Sequence, residues 1–199
     1  MVAGNHTADN YVDLALDVHL CAWAVACVLA FAFFYALYDE CRYNPEFEGQ
    51  LHCLSGVILC GRELFGTLLC GFGGAVLLAS VERVRADEWA TLLLMIMFAG
   101  LMVVVHYDVR AHKPAHFTGL GVLLLAGTLY LRRTVGDGGR LACLWYLYVA
   151  STSLFVVVLA CNVCATRWAP PFMTLQALAE IVWATAFLVA VVGFALLGD

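Results

Sequence analysis

Residues Met173 to Leu197 read MTLQALAEIVWATAFLVAVVGFALL and contain a single charged residue, Glu180. An apolar run of this length can cross a bilayer as an α-helix, which needs roughly 20 residues. Comparable runs fill much of the chain, which is 64% hydrophobic and only 13% charged. Because soluble domains average about a quarter charged residues, the sequence predicts a polytopic membrane protein and excludes a soluble enzyme.

Hydropathy predicts six spans joined by short loops, with no room for a soluble domain. The predicted spans are about Leu14–Leu37, Cys53–Ala79, Trp89–Val105, Ala115–Leu131, Leu141–Val163 and Met173–Leu197. Each must be helical, because a backbone exposed to lipid has to satisfy its own hydrogen bonds. The expected fold is all-α: one transmembrane domain, residues 1–199, built as a bundle of six transmembrane helices.

The even number of spans places both termini on one side of the membrane. The loops on the side of the termini contain slightly more basic residues than the loops on the opposite side. Under the positive-inside rule, this excess predicts cytosolic termini. The arginines on the side of the termini are Arg83, Arg85, Arg132, Arg133 and Arg140. The net charge of −5 and the lack of a basic patch exclude a nucleic-acid partner.

Arg62 and Glu63 stand about ten residues into the predicted second span, where a charge costs roughly 2.5–3.5 kcal/mol or more. Glu180 lies at a similar depth in the sixth span and enters from the same side. Arg62 and Glu180 are therefore predicted to form a buried ion pair. Glu63 points to another face of its helix, and His116 is a candidate contact for it. These four residues form a candidate polar cluster, and a proton or ligand site is the alternative to a purely structural role.

Three histidines, His106, His112 and His116, surround the third loop and suggest a metal or haem site. The spacing argues against one, because His106 and His116 are ten residues apart and are separated by a loop that contains Pro114. The sequence therefore predicts no metal and no cofactor, with these histidines as polar residues of the membrane interface.

Cys161-x-x-Cys164 has the spacing of a thiol redox motif, and Cys41 and Cys53 are expected on the same side of the membrane. Redox catalysis is one interpretation of these cysteines. The other is a structural disulfide between Cys161 or Cys164 and Cys41 or Cys53, which an oxidising compartment would favour.

Small residues recur at helical spacing in two predicted spans. Gly66, Cys70 and Gly74 form a stripe of the kind that lets helices approach closely in lipid. It predicts packing inside the bundle or self-association. Close packing is also the use expected for Gly119, Gly121 and Gly127 in the fourth span.

Two segments of the second half resemble the damage-regulated autophagy modulator (DRAM) family. Residues 115–119 read AHFTG and residues 125–130 read LAGTLY, which is similar to the fourth helix of that family. Ala179-Glu180, followed by Trp183 and Phe187, looks like its closing helix. The resemblance covers about residues 99–197 and implies six helices with cytosolic termini.

The same resemblance implies a function and a place in the cell. It points to an endomembrane, lysosomal or plasma-membrane protein that affects autophagy or membrane lipid organisation, and it carries over His116 and Glu180. The predicted function is therefore the binding of membrane lipids or partner helices. Two alternatives are an accessory subunit of a larger membrane complex, and a small enzyme or transporter with a polar pocket around Arg62, Glu180 and His116. Uninterrupted hydrophobicity in most spans disfavours a transporter.

Overall fold

Seven helices make up nearly all of the chain that the computed structural model describes, which is residues 5–38, 51, 54–83, 87–107, 111–135, 142–165 and 173–197. The helices are α1 (Asn5–Leu37), α2 (Leu54–Cys60), α3 (Arg62–Arg83), α4 (Glu88–His106), α5 (Lys113–Val135), α6 (Ala142–Ala165) and α7 (Met173–Leu197). These ranges contain no strand, so the all-α prediction is confirmed for them.

Five of the described helices contain segments long and apolar enough to cross a membrane. The segments are Leu14–Leu37, Glu88–His106, Lys113–Val135, Ala142–Cys164 and Met173–Phe194. Large apolar side chains also cover the outside of the bundle; Leu29, Trp89 and Leu125 are each more than 60% exposed. Such an outer surface suits lipid rather than water, and the chain is a multi-pass membrane protein.

The structure differs from the prediction of six spans at the second one, Cys53–Ala79, which is not one continuous helix and is not among the five described segments that are long and apolar enough to cross a membrane. The helix stops at Gly61 and restarts, which divides this stretch into α2 and α3. Gly61 lies against the ring of Phe34 in α1, so closely that a Cβ on Gly61 would come within 2.6 Å of that ring. Hydropathy averages over such a break and does not detect it.

The long helices pack in antiparallel pairs, α4 with α5, α6 with α7 and α1 with α3. The α4–α5 pair comes closest at two glycines: a Cβ on Gly100 would lie 3.0 Å from the carbonyl oxygen of Gly119. Between α6 and α7, Trp183 stacks on Phe155 with ring centroids 5.4 Å apart. These contacts fill the centre of the bundle with apolar groups. In lipid, close van der Waals packing of this kind holds helices together.

Asp87 connects the start of α4 to the end of α5. Its carboxylate accepts hydrogen bonds from the backbone N–H groups of Trp89 and Ala90 at the start of α4, as an N-cap does. The guanidinium of Arg133, in the last turn of α5, donates to the other carboxylate oxygen. This hydrogen bond from Arg133 is the main cause that holds the pKa of Asp87 below its usual value of 3.8.

We expect Asp87→Ala to lower the thermal stability of the detergent-solubilised protein at neutral pH, because it removes both the cap and the contact with Arg133. A carboxyl group whose pKa is lowered by folding contributes stability above its unfolded pKa and loses it as the pH falls through its folded pKa. The melting temperatures of wild type and variant should therefore converge below about pH 3.8. A difference that stays constant down to about pH 2 would contradict this account.

Candidate functional site

Arg62 lies at the end of the bundle and not in the middle of a span. It is the first residue of α3, and its guanidinium donates a hydrogen bond to the backbone carbonyl of His106, the last residue of α4. Both Arg62 and Glu63 are exposed. The predicted position of these two charges in the middle of a span is wrong. Because α3 begins at Arg62 and not near Cys53, both charges lie at the level where α4 ends.

Glu180 is buried in α7, and only 8% of its surface is exposed. Its Oε2 atom accepts a hydrogen bond of 2.8 Å from the backbone N–H of Leu54, the first residue of α2. The predicted ion pair with Arg62 is therefore replaced by separate contacts: Arg62 binds a helix carbonyl, and Glu180 binds a helix N–H. Each contact satisfies a backbone group that a helix end leaves without an intrahelical partner.

A second contact docks the same segment on α7. The backbone N–H of Leu51 donates to the hydroxyl oxygen of Thr174 over 3.1 Å. Thr174 and Glu180 are about 9 Å apart along the helix axis, at 1.5 Å per residue, so Leu51 and Leu54 are both held against the first turns of α7. Helix α2 then packs among α1, α3, α4 and α7, with Val57 fully buried. It closes this end of the bundle.

His116 is placed in the same manner as Arg62 and Glu180. It is buried near the start of α5, and its Nδ1 atom lies 2.8 Å from the backbone carbonyl oxygen of Tyr107, which follows the end of α4. The predicted contact of His116 with Glu63 is replaced by this one. The hydroxyl of Thr67 donates to the backbone carbonyl of Glu63. Arg62, His116 and Glu180 therefore contact different helix ends and do not surround one common pocket.

Two amide side chains form a polar contact between helices that the sequence did not predict. Asn162 of α6, which is buried, donates to the side-chain oxygen of Gln176 in α7 over 2.6 Å. Gln176 precedes Glu180 by four residues, so both project from neighbouring turns of one helix face. The signal was available, since a polar amide in a span usually binds a neighbouring helix.

The other histidines and the cysteines form no metal site among the described residues. His106 and His112 are exposed, and no group of three His, Cys, Asp or Glu side chains in the described ranges could hold a metal ion. Cys161 and Cys164 are exposed and form no disulfide with each other or with another described cysteine. Cys41 and Cys53 lie outside the described residues, so a bridge to them stays a prediction.

The predicted stripe of small residues lies partly against α4. Cys70 is exposed, and its Sγ atom is 3.3 Å from the sulfur of Met102. A Cβ on Gly66 would meet Val105 at 3.9 Å, and one on Gly74 would meet nothing within 4 Å. Close packing at Gly74 is therefore not part of the described bundle, and self-association through the stripe stays a prediction.

An apolar groove runs along the outside of the bundle between α5 and α6, and it has a volume of ≈ 440 Å³. It is lined by Phe117, Val156, Leu159, Ala160, Val163 and Cys164. From Val156 to Cys164 the helix rises about 12 Å. The groove thus begins at the same end of the bundle as α2 and extends toward the middle of α6.

A second, much smaller cavity, of ≈ 20 Å³, lies inside the bundle between α3, α4, α5 and α7. Its lining is apolar and includes Phe72, Met97, Leu123 and Phe187. Cavities lined only by such side chains stay dry. This one is an internal packing defect, whereas the groove lies on the outer surface of the bundle.

Comparison with protein-family models, with curated proteins and with solved structures finds no match to this chain. The resemblance to the autophagy modulators therefore stays a prediction from short motifs.

Proposed function

We propose that this membrane protein acts by binding a lipid, with an acyl chain of the lipid in the groove between α5 and α6. The groove is the observation that carries the proposal. It is apolar throughout, five of its six lining residues follow one helix, and it lies open on the outer surface of the bundle. A shallow apolar channel of this shape matches a hydrocarbon chain better than a polar substrate.

The polar residues favour binding over catalysis. Arg62, His116 and Glu180 each contact a backbone group at a helix end. A catalytic acid or base has to reach a reacting group in a cleft, whereas these three side chains are engaged in holding helices together. The proposal of a small enzyme or transporter around them loses its main support.

Partner-helix binding is a second candidate function, and one observation favours it. The stripe of Gly66, Cys70 and Gly74 leaves open space beside Gly74, where the backbone of another helix could approach. A chain that binds this way would serve as a subunit of a larger membrane complex.

The cellular role and the orientation belong to the same proposal. Lipid binding is compatible with the lipid-organising, autophagy-linked role at an endomembrane, lysosomal or plasma membrane that the resemblance implies. Phe34, late in α1, contacts Phe65, early in α3, and Leu54, at the start of α2, donates to Glu180, early in α7. These pairs support a bundle whose termini share one side, and the arginine distribution favours the cytosol for that side.

Native mass spectrometry of protein released from lipid nanodiscs tests the proposed function. We expect the wild type to retain a phospholipid and Ala160→Trp to lose it, because the indole fills the groove. Val157→Trp is the matched control, since Val157 is 59% exposed on the same helix and does not line the groove. Equal retention by both variants, or no lipid on the wild type, would contradict the proposal.

A further inference from the structure

The end of the groove nearest the membrane surface lies beside a basic side chain. Phe117 lines the groove on α5, and Lys113 precedes it by four residues. Residues four apart lie on the same face of a helix, one turn from each other. Lys113 is exposed, as is its neighbour His112.

No described acidic side chain neutralises Lys113. The ion pair found among the described residues, Arg133 with Asp87, lies at the opposite end of α5. At this end of the bundle Glu180 is buried in α7 and engaged with Leu54, and Glu63, which is exposed, forms no described ion pair with Lys113. A lysine near the end of a spanning helix extends its ammonium group to the interface, where lipid phosphates lie. Among the described residues this ammonium group therefore has no anionic partner, although the whole chain is acidic.

From this arrangement we infer that the groove selects an anionic phospholipid. The inference rests on the proposed function and adds the class of lipid. One acyl chain lies along Val156–Cys164, and the negatively charged headgroup contacts Lys113. The groove supplies affinity for any acyl chain, and the lysine supplies the preference for net negative charge, because a zwitterionic headgroup gains less from a single cation at the surface.

The experiment compares two lipids with identical acyl chains. Nanodiscs that contain equal amounts of phosphatidylserine and phosphatidylcholine are loaded with the full-length protein, and the lipid retained on the released protein is measured by native mass spectrometry. A basic residue near the surface contributes about 1 kcal/mol toward an anionic lipid, which corresponds to a roughly fivefold preference for phosphatidylserine. We expect this preference for the wild type.

Two variants test whether the preference for phosphatidylserine depends on Lys113, beside the end of the groove. Lys113→Gln should reduce the retention of phosphatidylserine to the level of phosphatidylcholine. Arg132→Gln removes an exposed cation at the other end of the same helix and should keep the wild-type preference.

The outcomes separate the two proposals. If the wild type retains both lipids equally, or if Lys113→Gln keeps the preference, lipid selection by Lys113 is wrong and lipid binding stands. If Arg132→Gln abolishes the preference as fully as Lys113→Gln does, the selection reflects overall charge and the inference is also wrong. If neither lipid is retained on the wild type, the proposed function itself fails.

Discussion

Glu180→Leu should destabilise the protein in detergent by about 1–3 kcal/mol, the cost of leaving a buried backbone N–H without an acceptor. The N–H is that of Leu54, which now donates to the Glu180 carboxylate over 2.8 Å. Glu180→Gln should stay close to the wild type, because the amide oxygen can accept the same hydrogen bond and the amide carries no charge to bury. Thermal unfolding of the three proteins in one detergent measures the order.

Glu180→Gln is also the variant that discriminates between roles. If it destabilises the protein as strongly as Glu180→Leu, the negative charge itself is needed, and the account of Glu180 as a hydrogen-bond acceptor for α2 is wrong. Arg62 provides a cross-check. Since Arg62 contacts the carbonyl of His106 and not Glu180, the losses from Arg62→Leu and Glu180→Leu should add in the double variant.

Gly100→Ala should destabilise the protein by forcing α4 and α5 apart. The new Cβ would lie 2.8 Å from the backbone nitrogen of Leu123 and 3.0 Å from the carbonyl oxygen of Gly119. Both are backbone atoms, so the two helices must separate to admit it. Overpacking of a tight contact costs about 1–3 kcal/mol, which thermal unfolding or folded yield in detergent would reveal.

Gly121→Ala is the matched control on the partner helix. A Cβ on Gly121 would meet nothing within 4 Å, so this variant should unfold at or slightly above the wild-type temperature. Equal losses from Gly100→Ala and Gly121→Ala would mean that the α4–α5 contact is looser than the structure describes.

The sequence predicted the class of fold because apolar runs and the hydrogen-bonding needs of a backbone in lipid determine it. Its error at Arg62 has a physical origin. A hydropathy window averages over Gly61, so the helix break, and with it the true position of the charge, was hidden. Gly119 was found as a packing residue, but its partner Gly100 was not, because a lone glycine in an apolar run has no distinctive spacing.

The contacts of the candidate site required the fold. Glu180 binds the backbone N–H of Leu54, and His116 lies against the backbone carbonyl of Tyr107. Because every residue has a backbone carbonyl and nearly every one has an N–H, no side-chain pattern in the sequence identifies these partners. The groove likewise depends on how α5 and α6 lie against each other. Phe117 and Ala160 are ordinary apolar residues in the sequence, and only their juxtaposition makes a binding surface.

Photo-crosslinking tests the central claim, that a lipid occupies this groove, most directly. Vesicles would contain a phospholipid whose acyl chain carries a diazirine, and labelled peptides would be identified by mass spectrometry after irradiation. The account predicts label concentrated at Phe117 and between Val156 and Cys164. Label spread evenly over other exposed apolar positions, such as Leu29 on α1 and Met95 on α4, would show only the surrounding bilayer and would contradict a specific lipid site.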